Sequence, residues 1–161
     1  MMKWPICILL IASSMTTLYG QEIGRSRQSY FGIGAGLDHG GFGVRLDVLI
    51  TSSTSLFGGI GYNLATLGWN AGFHHRFNEG MRTRPYFTAM YGYNLAAGNI
   101  RFEGVNYYGP TFGGGGEFQL GEKGSFFRLG ILVPIRSEEA RELAARSEYR
   151  LPVLFSFGVH F

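Results

Sequence analysis

From Gln28 to Phe161, apolar residues recur at every second position in eight segments: Gln28 to Asp38, Phe42 to Ile50, Ser55 to Leu64, Trp69 to Asn78, Pro85 to Leu95, Tyr107 to Leu120, Ser125 to Arg136 and Pro152 to Phe161. In extended chain, successive side chains point to opposite faces, so this period of two marks strands with two chemically different sides. Most segments have the ~9 to 11 residues that a tilted strand needs to cross a bilayer. No apolar run reaches the ~20 residues of a spanning helix, so a helical membrane protein is excluded. The predicted fold is all-β, an eight-stranded antiparallel up-and-down barrel.

The apolar face begins with Phe31, Ile33, Ala35 and Leu37 and continues through Phe42, Val44, Leu46, Val48 and Ile50. Later strands add Trp69, Phe73, Phe87, Tyr91, Tyr93, Phe112, Leu129 and Ile131. The other face holds Gly32, Gly34, Arg45, Asp47, Asn70, His74, Arg76, Asn94, Glu117, Arg128, Ser156 and His160. Composition decides which face is inside. Charged residues make up 16% of the chain, Gly numbers 26, and the 14 basic residues include only Lys3 and Lys123 as lysines. A soluble barrel with this apolar face as its core would present a glycine-rich surface with hardly any lysine, and Gly weakens strands. With the apolar face toward lipid, glycine instead makes room inside a narrow barrel for a few long polar side chains. The formal charge is only +3 and there is no Lys/Arg run, which argues against a nucleic-acid partner.

Residues 1–20 read as a cleaved secretory signal peptide, with Lys3 followed by the apolar Trp4 to Ala12 and a small or polar stretch ending at Gly20. The single cysteine, Cys7, lies in that segment, so the exported chain is expected to carry neither disulfide nor cysteine-based metal site. Residues 21–27 form a short periplasmic N-terminal segment and residues 28–161 the barrel. Short connections at Thr51 to Thr54, Glu79 to Arg84 and Gly121 to Gly124 alternate with Ala65 to Gly68, Ala96 to Asn106 and Ser137 to Leu151, of which the last two are clearly longer, as expected of periplasmic turns and outer loops. The first outer connection, at His39 and Gly40, departs from this pattern and reads as a tight turn.

With these strands and the closing Pro152-Val-Leu-Phe-Ser-Phe-Gly-Val-His-Phe161, the chain resembles the small eight-stranded outer-membrane barrels of Gram-negative bacteria, the OmpA transmembrane-domain and OmpX type. The resemblance covers Gln28 to Phe161. It implies that Phe155, Phe157, Val159 and Phe161 form an assembly signal read by the barrel-assembly machinery. Members of the family are adhesins, structural barrels, narrow pores and lipid-modifying enzymes, so function does not follow from the resemblance.

A hairpin centred on Glu122-Lys123 pairs residues whose numbers sum to 245 and sets Glu117 opposite Arg128. A tight turn at His39-Gly40 would likewise set Gly32 opposite Asp47 and Gly34 opposite Arg45. Arg45, Asp47, Arg76, Glu117 and Arg128 are therefore expected to form an interior polar network that plugs the barrel. His74 and His75 point to opposite faces and cannot share a metal. Ser156 and His160, four residues apart on one strand, are about 13 Å apart and would lie toward the periplasmic end, so no hydrolase triad is read there. Asp38 and His39, on the outer side, lack a nucleophile partner. Glu138 to Arg146 is rich in helix formers, with Glu142 and Arg146 spaced for an i,i+4 pair, and reads as a short surface helix. Ile100-Arg-Phe-Glu103 offers an exposed aromatic contact on an outer loop.

The function expected from the sequence is non-enzymatic, without cofactor or metal: an outer-membrane barrel with a structural or surface-interaction role. A narrow channel or small-ligand transport barrel is the alternative, and a lipid A-modifying enzyme the third. Expected partners are outer-membrane lipid and lipopolysaccharide, the assembly machinery during insertion and an extracellular protein.

Overall fold

The computed structural model describes residues 29–78, 80–98, 104–121, 124–146 and 153–161. The expected leader, the 21–27 segment, Glu122, Lys123 and the expected Ile100 to Glu103 contact lie outside the described residues.

Eight antiparallel strands close into a barrel in chain order: β1 (Ser29–Gly36), β2 (Gly41–Leu49), β3 (Thr54–Tyr62), β4 (Leu67–Arg76), β5 (Thr83–Gly98), β6 (Gly104–Leu120), β7 (Ser125–Pro134) and β8 (Leu154–His160). The sheet closes where β8 pairs with β1 from Gly32↔His160 to Ala35↔Phe157. Reciprocal backbone bonds between Phe31 and Phe161 extend that seam at one end. Both termini of the sheet lie at this end. A helix, α1 (Glu138–Arg146), lies in the β7–β8 connection at the opposite end.

The burial pattern inverts that of a soluble barrel. Phe31, Ile33, Phe42, Val44, Leu56, Trp69, Phe73, Phe87, Phe112, Leu129 and Phe157 are exposed, while Arg45, Asp47, His74, Glu117, Arg128 and His160 are buried to 1% or less. Eight strands enclose a bore just wide enough for side chains to fill. Glycines at luminal positions set how close those side chains come to the wall; a Cβ on Gly32 would lie 3.0 Å from His160 Cγ.

Five expectations are corrected. The β1–β2 register is Gly32↔Arg45 and Gly34↔Gly43, displaced by two residues from the tight-turn reading. The connection has four residues, not two: Leu37–His39 form one turn of 3-10 helix, and Gly40, at φ 74°, donates its N–H to the Leu37 carbonyl at 2.9 Å. A shift of two preserves the face of every strand residue, so the polar set stays inside. That turn folds into the lumen, which takes Leu37 off the outer face and buries Asp38 and His39. Tyr93, expected outward, is buried because a bulge between Tyr93 and Leu95 inserts Asn94 and re-aims the strand. The Ala96 to Asn106 loop is largely strand, because β5 and β6 pair as far as Gly98↔Gly104.

The α1 helix has the predicted bounds. Ser137 caps it by accepting the Ala140 N–H at 3.4 Å, and Ala140, in its first turn, is buried. An exposed Glu138–Arg141 pair at 3.3 Å stabilises its first turn, while the Arg146 side chain of the expected Glu142 pair lies outside the described residues.

Candidate functional site

A lone charge in so narrow a lumen would cost several kcal/mol, so each must be paired and hydrogen-bonded. The pairing forms a continuous alternating chain along the barrel. Arg45 donates from Nη1 to Asp38 Oδ2 at 2.8 Å, and from Nε and Nη2 to the two oxygens of Asp47 at 2.9 and 2.7 Å. This two-pronged arrangement fixes the guanidinium plane, which also lies 3.5 Å from the Phe57 ring centroid. Asp47 passes the chain to Arg128 Nη1 at 3.5 Å and accepts the Ser55 hydroxyl at 3.3 Å. Arg128 then donates to Glu117 Oε1 from Nη2 at 2.7 Å and from Nε at 3.1 Å. Glu117 faces Arg128 directly across the β6–β7 ladder, the pairing that the hairpin register predicts.

Glu117 is the hub at the terminal end. It accepts His74 Nε2 at 3.0 Å and Arg76 Nε at 2.8 Å, and Arg84 Nη2 stands 3.4 Å away. Arg76, Arg84 and Arg128 all gather around the Phe126 ring, at 5.7, 5.4 and 5.3 Å from its centroid. Phe126 in turn stacks face to face on His160 at 4.9 Å. Thus the five residues read from the sequence meet in one network, with Asp38, His74 and Arg84 joined to it.

At the other end, Asp38 Oδ1 accepts both the Ser156 hydroxyl and His39 Nδ1, the latter at 3.0 Å. Ser156 therefore lies against the Leu37–His39 turn, not toward the terminal end where the sequence reading placed it. A serine, a histidine and an acid are in contact, yet the order is serine to acid to histidine. A nucleophilic triad requires the histidine between the other two, where it can take the hydroxyl proton. All three are buried to 2% or less, so this cluster works as a clasp holding the turn against β8.

No known family, curated protein or solved structure matches the chain. Geometry must therefore carry the functional reading.

The lumen also holds an apolar cluster: Leu37, Phe57, Met90, Tyr93 and Leu132 are buried, joined by the partly buried Ala96 and Leu154, with Phe57 reaching down to Arg45. Phe57, Met90 and Leu132 occupy inward positions that the apolar/polar alternation leaves unmarked. Their signal in the sequence is an apolar residue on both faces of one strand, as at Leu56-Phe57 and Ile131-Leu132. Among the described residues, no group of three or more His, Cys, Asp or Glu side chains is placed to hold a metal. Phe155, Phe157 and Phe161, expected from the resemblance to form an assembly signal, face outward and are exposed, and Val159, on the same face, is half-buried.

Proposed function

We propose that the chain is an integral outer-membrane β-barrel with a structural or surface-interaction role, plugged along its axis and presenting its longer connections outside the cell. The observation that carries this reading is the inversion of burial: an exposed belt of Phe, Leu, Ile, Val and Trp around a core of paired arginines and carboxylates. Such a belt in water would cost about 25 cal/mol for each Å² of apolar surface left wet, whereas hydrocarbon accepts it without penalty. The leader-like character of residues 1–20 agrees with export. In this reading the end carrying the sheet termini faces the periplasm and the α1 end faces outward. Strands of 16 and 17 residues, β5 and β6, exceed the ~9 to 11 needed to span, so their hairpin projects as a surface element. An extracellular protein or lipopolysaccharide is the partner class that such a projection and α1 would meet.

Residues 21–161, refolded into detergent and into lipid vesicles, test this reading. A strand-dominated circular dichroism spectrum, with a gel mobility that differs between unheated and heated samples, is the expected result. A helical spectrum, or failure to insert into vesicles, contradicts it.

A further inference from the structure

The alternating charges of the lumen do not balance at the end that carries the sheet termini. Among the described residues the network joins four arginines, Arg45, Arg76, Arg84 and Arg128, to three carboxylates, Asp38, Asp47 and Glu117. Arg45 lies between Asp38 and Asp47, and Arg128 between Asp47 and Glu117, so the surplus falls on Arg76 and Arg84, which share Glu117 with Arg128. An ionised carboxylate offers about four lone-pair sites. Those of Glu117 are taken by His74 Nε2, by Nε and Nη2 of Arg128 and by Nε of Arg76. Arg84 Nη2 stands 3.4 Å from Oε2 as an ion pair.

Two donors at this hub are left over. Arg76 Nη2 and Arg84 Nε are buried without a hydrogen-bond partner, and Arg76 as a whole is only 3% exposed. A guanidinium donor in a narrow bore is expensive until an acceptor reaches it. The two side chains share a face on neighbouring strands, since Arg76 lies opposite Tyr86, two residues on from Arg84. Aromatic rings hold their planes: Arg76 lies 5.1 Å from the Tyr30 centroid and 5.7 Å from that of Phe126, and Arg84 lies 5.4 Å from that of Phe126. Such contacts engage the flat face of a guanidinium and leave its N–H edge for hydrogen bonds. Arg84, with 19% of its side chain exposed, opens the cluster to solvent, and the exposed Gln119 stands opposite Phe126 beside it.

We propose that this mouth of the barrel is a binding site for a phosphate group, held by the Arg84 and Arg76 guanidiniums. Arg84 captures the group from solvent, and its oxygens supply the acceptors that Arg84 Nε and Arg76 Nη2 lack. A phosphate presents its oxygens in a tetrahedron and so bridges two separate forks, whereas a carboxylate has two oxygens in one plane and matches only one. Its negative charge answers the surplus arginine. Glu117 does not repel it, because Arg128 and Arg76 already neutralise that carboxylate. The phosphate is carried either by a soluble phosphomonoester or by a lipid headgroup. The site does not depend on the membrane reading, because this mouth meets water whichever solvent the outer belt meets; in the membrane reading that water is the periplasm.

The test uses residues 21–161 refolded in detergent with isotope-labelled arginine. The Nε–H resonances are followed during titration with glycerol phosphate, against sodium chloride at the same ionic strength. Saturable shifts at Arg76 and Arg84, with Arg45 unmoved, are expected. Arg84→Gln should weaken the binding at least tenfold, read from the Arg76 resonance, while Arg141→Gln, on the exposed first turns of α1, leaves it unchanged. Arg84→Lys, which keeps the charge but loses the fork, should also weaken it and serves if Arg84→Gln does not assemble. A short-chain phosphatidic acid separates the two sources: tighter binding than glycerol phosphate assigns the site to a lipid headgroup, and equal or weaker binding assigns it to a soluble phosphomonoester. The absence of saturable shifts, shifts that chloride reproduces, or unchanged affinity in both Arg84 variants would overturn the proposal. Acetate binding as tightly as glycerol phosphate would overturn the assignment to phosphate. Failure to insert into vesicles, with phosphate binding intact in detergent, would overturn the membrane reading and leave this site standing.

Discussion

Glu117 stands in the lumen as the carboxylate shared by Arg128, Arg76, Arg84 and His74, so its loss and the loss of any one arginine are unequal events. Glu117→Gln takes the counter-charge from Arg76 and Arg84 and leaves Arg128 with Asp47 alone, whereas Arg128→Met leaves Glu117 still bound by Arg76 and His74. Breaking a buried pair from one side costs about 3–5 kcal/mol. The urea unfolding midpoint should fall further for Glu117→Gln than for Arg128→Met. The double variant should fall short of the sum by about 0.5–3 kcal/mol, because the two residues share hydrogen bonds. From the sequence alone, each single change would be expected to exceed the double. The additional arginines at the hub remove that expectation, since deleting both partners still strands Arg76 and Arg84. Equal midpoints for the two single variants would contradict Glu117 as the hub.

Each strand carries its own test of direction. Leu129 is near the middle of β7 and exposed on the belt, and Ser125 starts the same strand. An arginine at the bilayer midplane costs roughly 2–4 kcal/mol and one near an interface about 0–1. Leu129→Arg should therefore depress the yield of assembled barrel in vesicles well below Ser125→Arg, as read from the unheated gel band; equal yields would refute the facing. The connections make a second prediction. Gly40 (φ 74°) and Gly121 (φ 67°) both adopt the left-handed conformation, which costs a residue with a Cβ about 1–2 kcal/mol. A Cβ on Gly121 meets open space, but one on Gly40 would lie 2.7 Å from the Ile60 carbonyl carbon, in the neighbouring wall. Gly40→Ala should lower the unfolding midpoint more than Gly121→Ala, and a reversed order would contradict the inward folding of the first turn.

At the scale of the whole molecule, alternating charges from Asp38 through Arg45, Asp47 and Arg128 to Glu117 leave the bore occupied, with the apolar cluster around Leu37 above them. Purified protein in a planar bilayer should show no steady conductance, because ions would have to replace paired, desolvated groups. Stable open-channel currents in the unmodified protein would favour the narrow-channel reading over the plugged one. The residue pattern alone determined the strand count and the face of most residues, because alternation is a property of extended backbone and needs no partner to be read, and its short turn segments determined the antiparallel order. It also determined the Glu117–Arg128 pairing, since glycines flanking Glu122-Lys123 specify a hairpin and a hairpin specifies register. Only the tertiary structure decided the rest. The Leu37–His39 turn folds inward because the closed barrel offers it Arg45 and Ser156 as partners for Asp38, groups brought near by closure and not by sequence proximity.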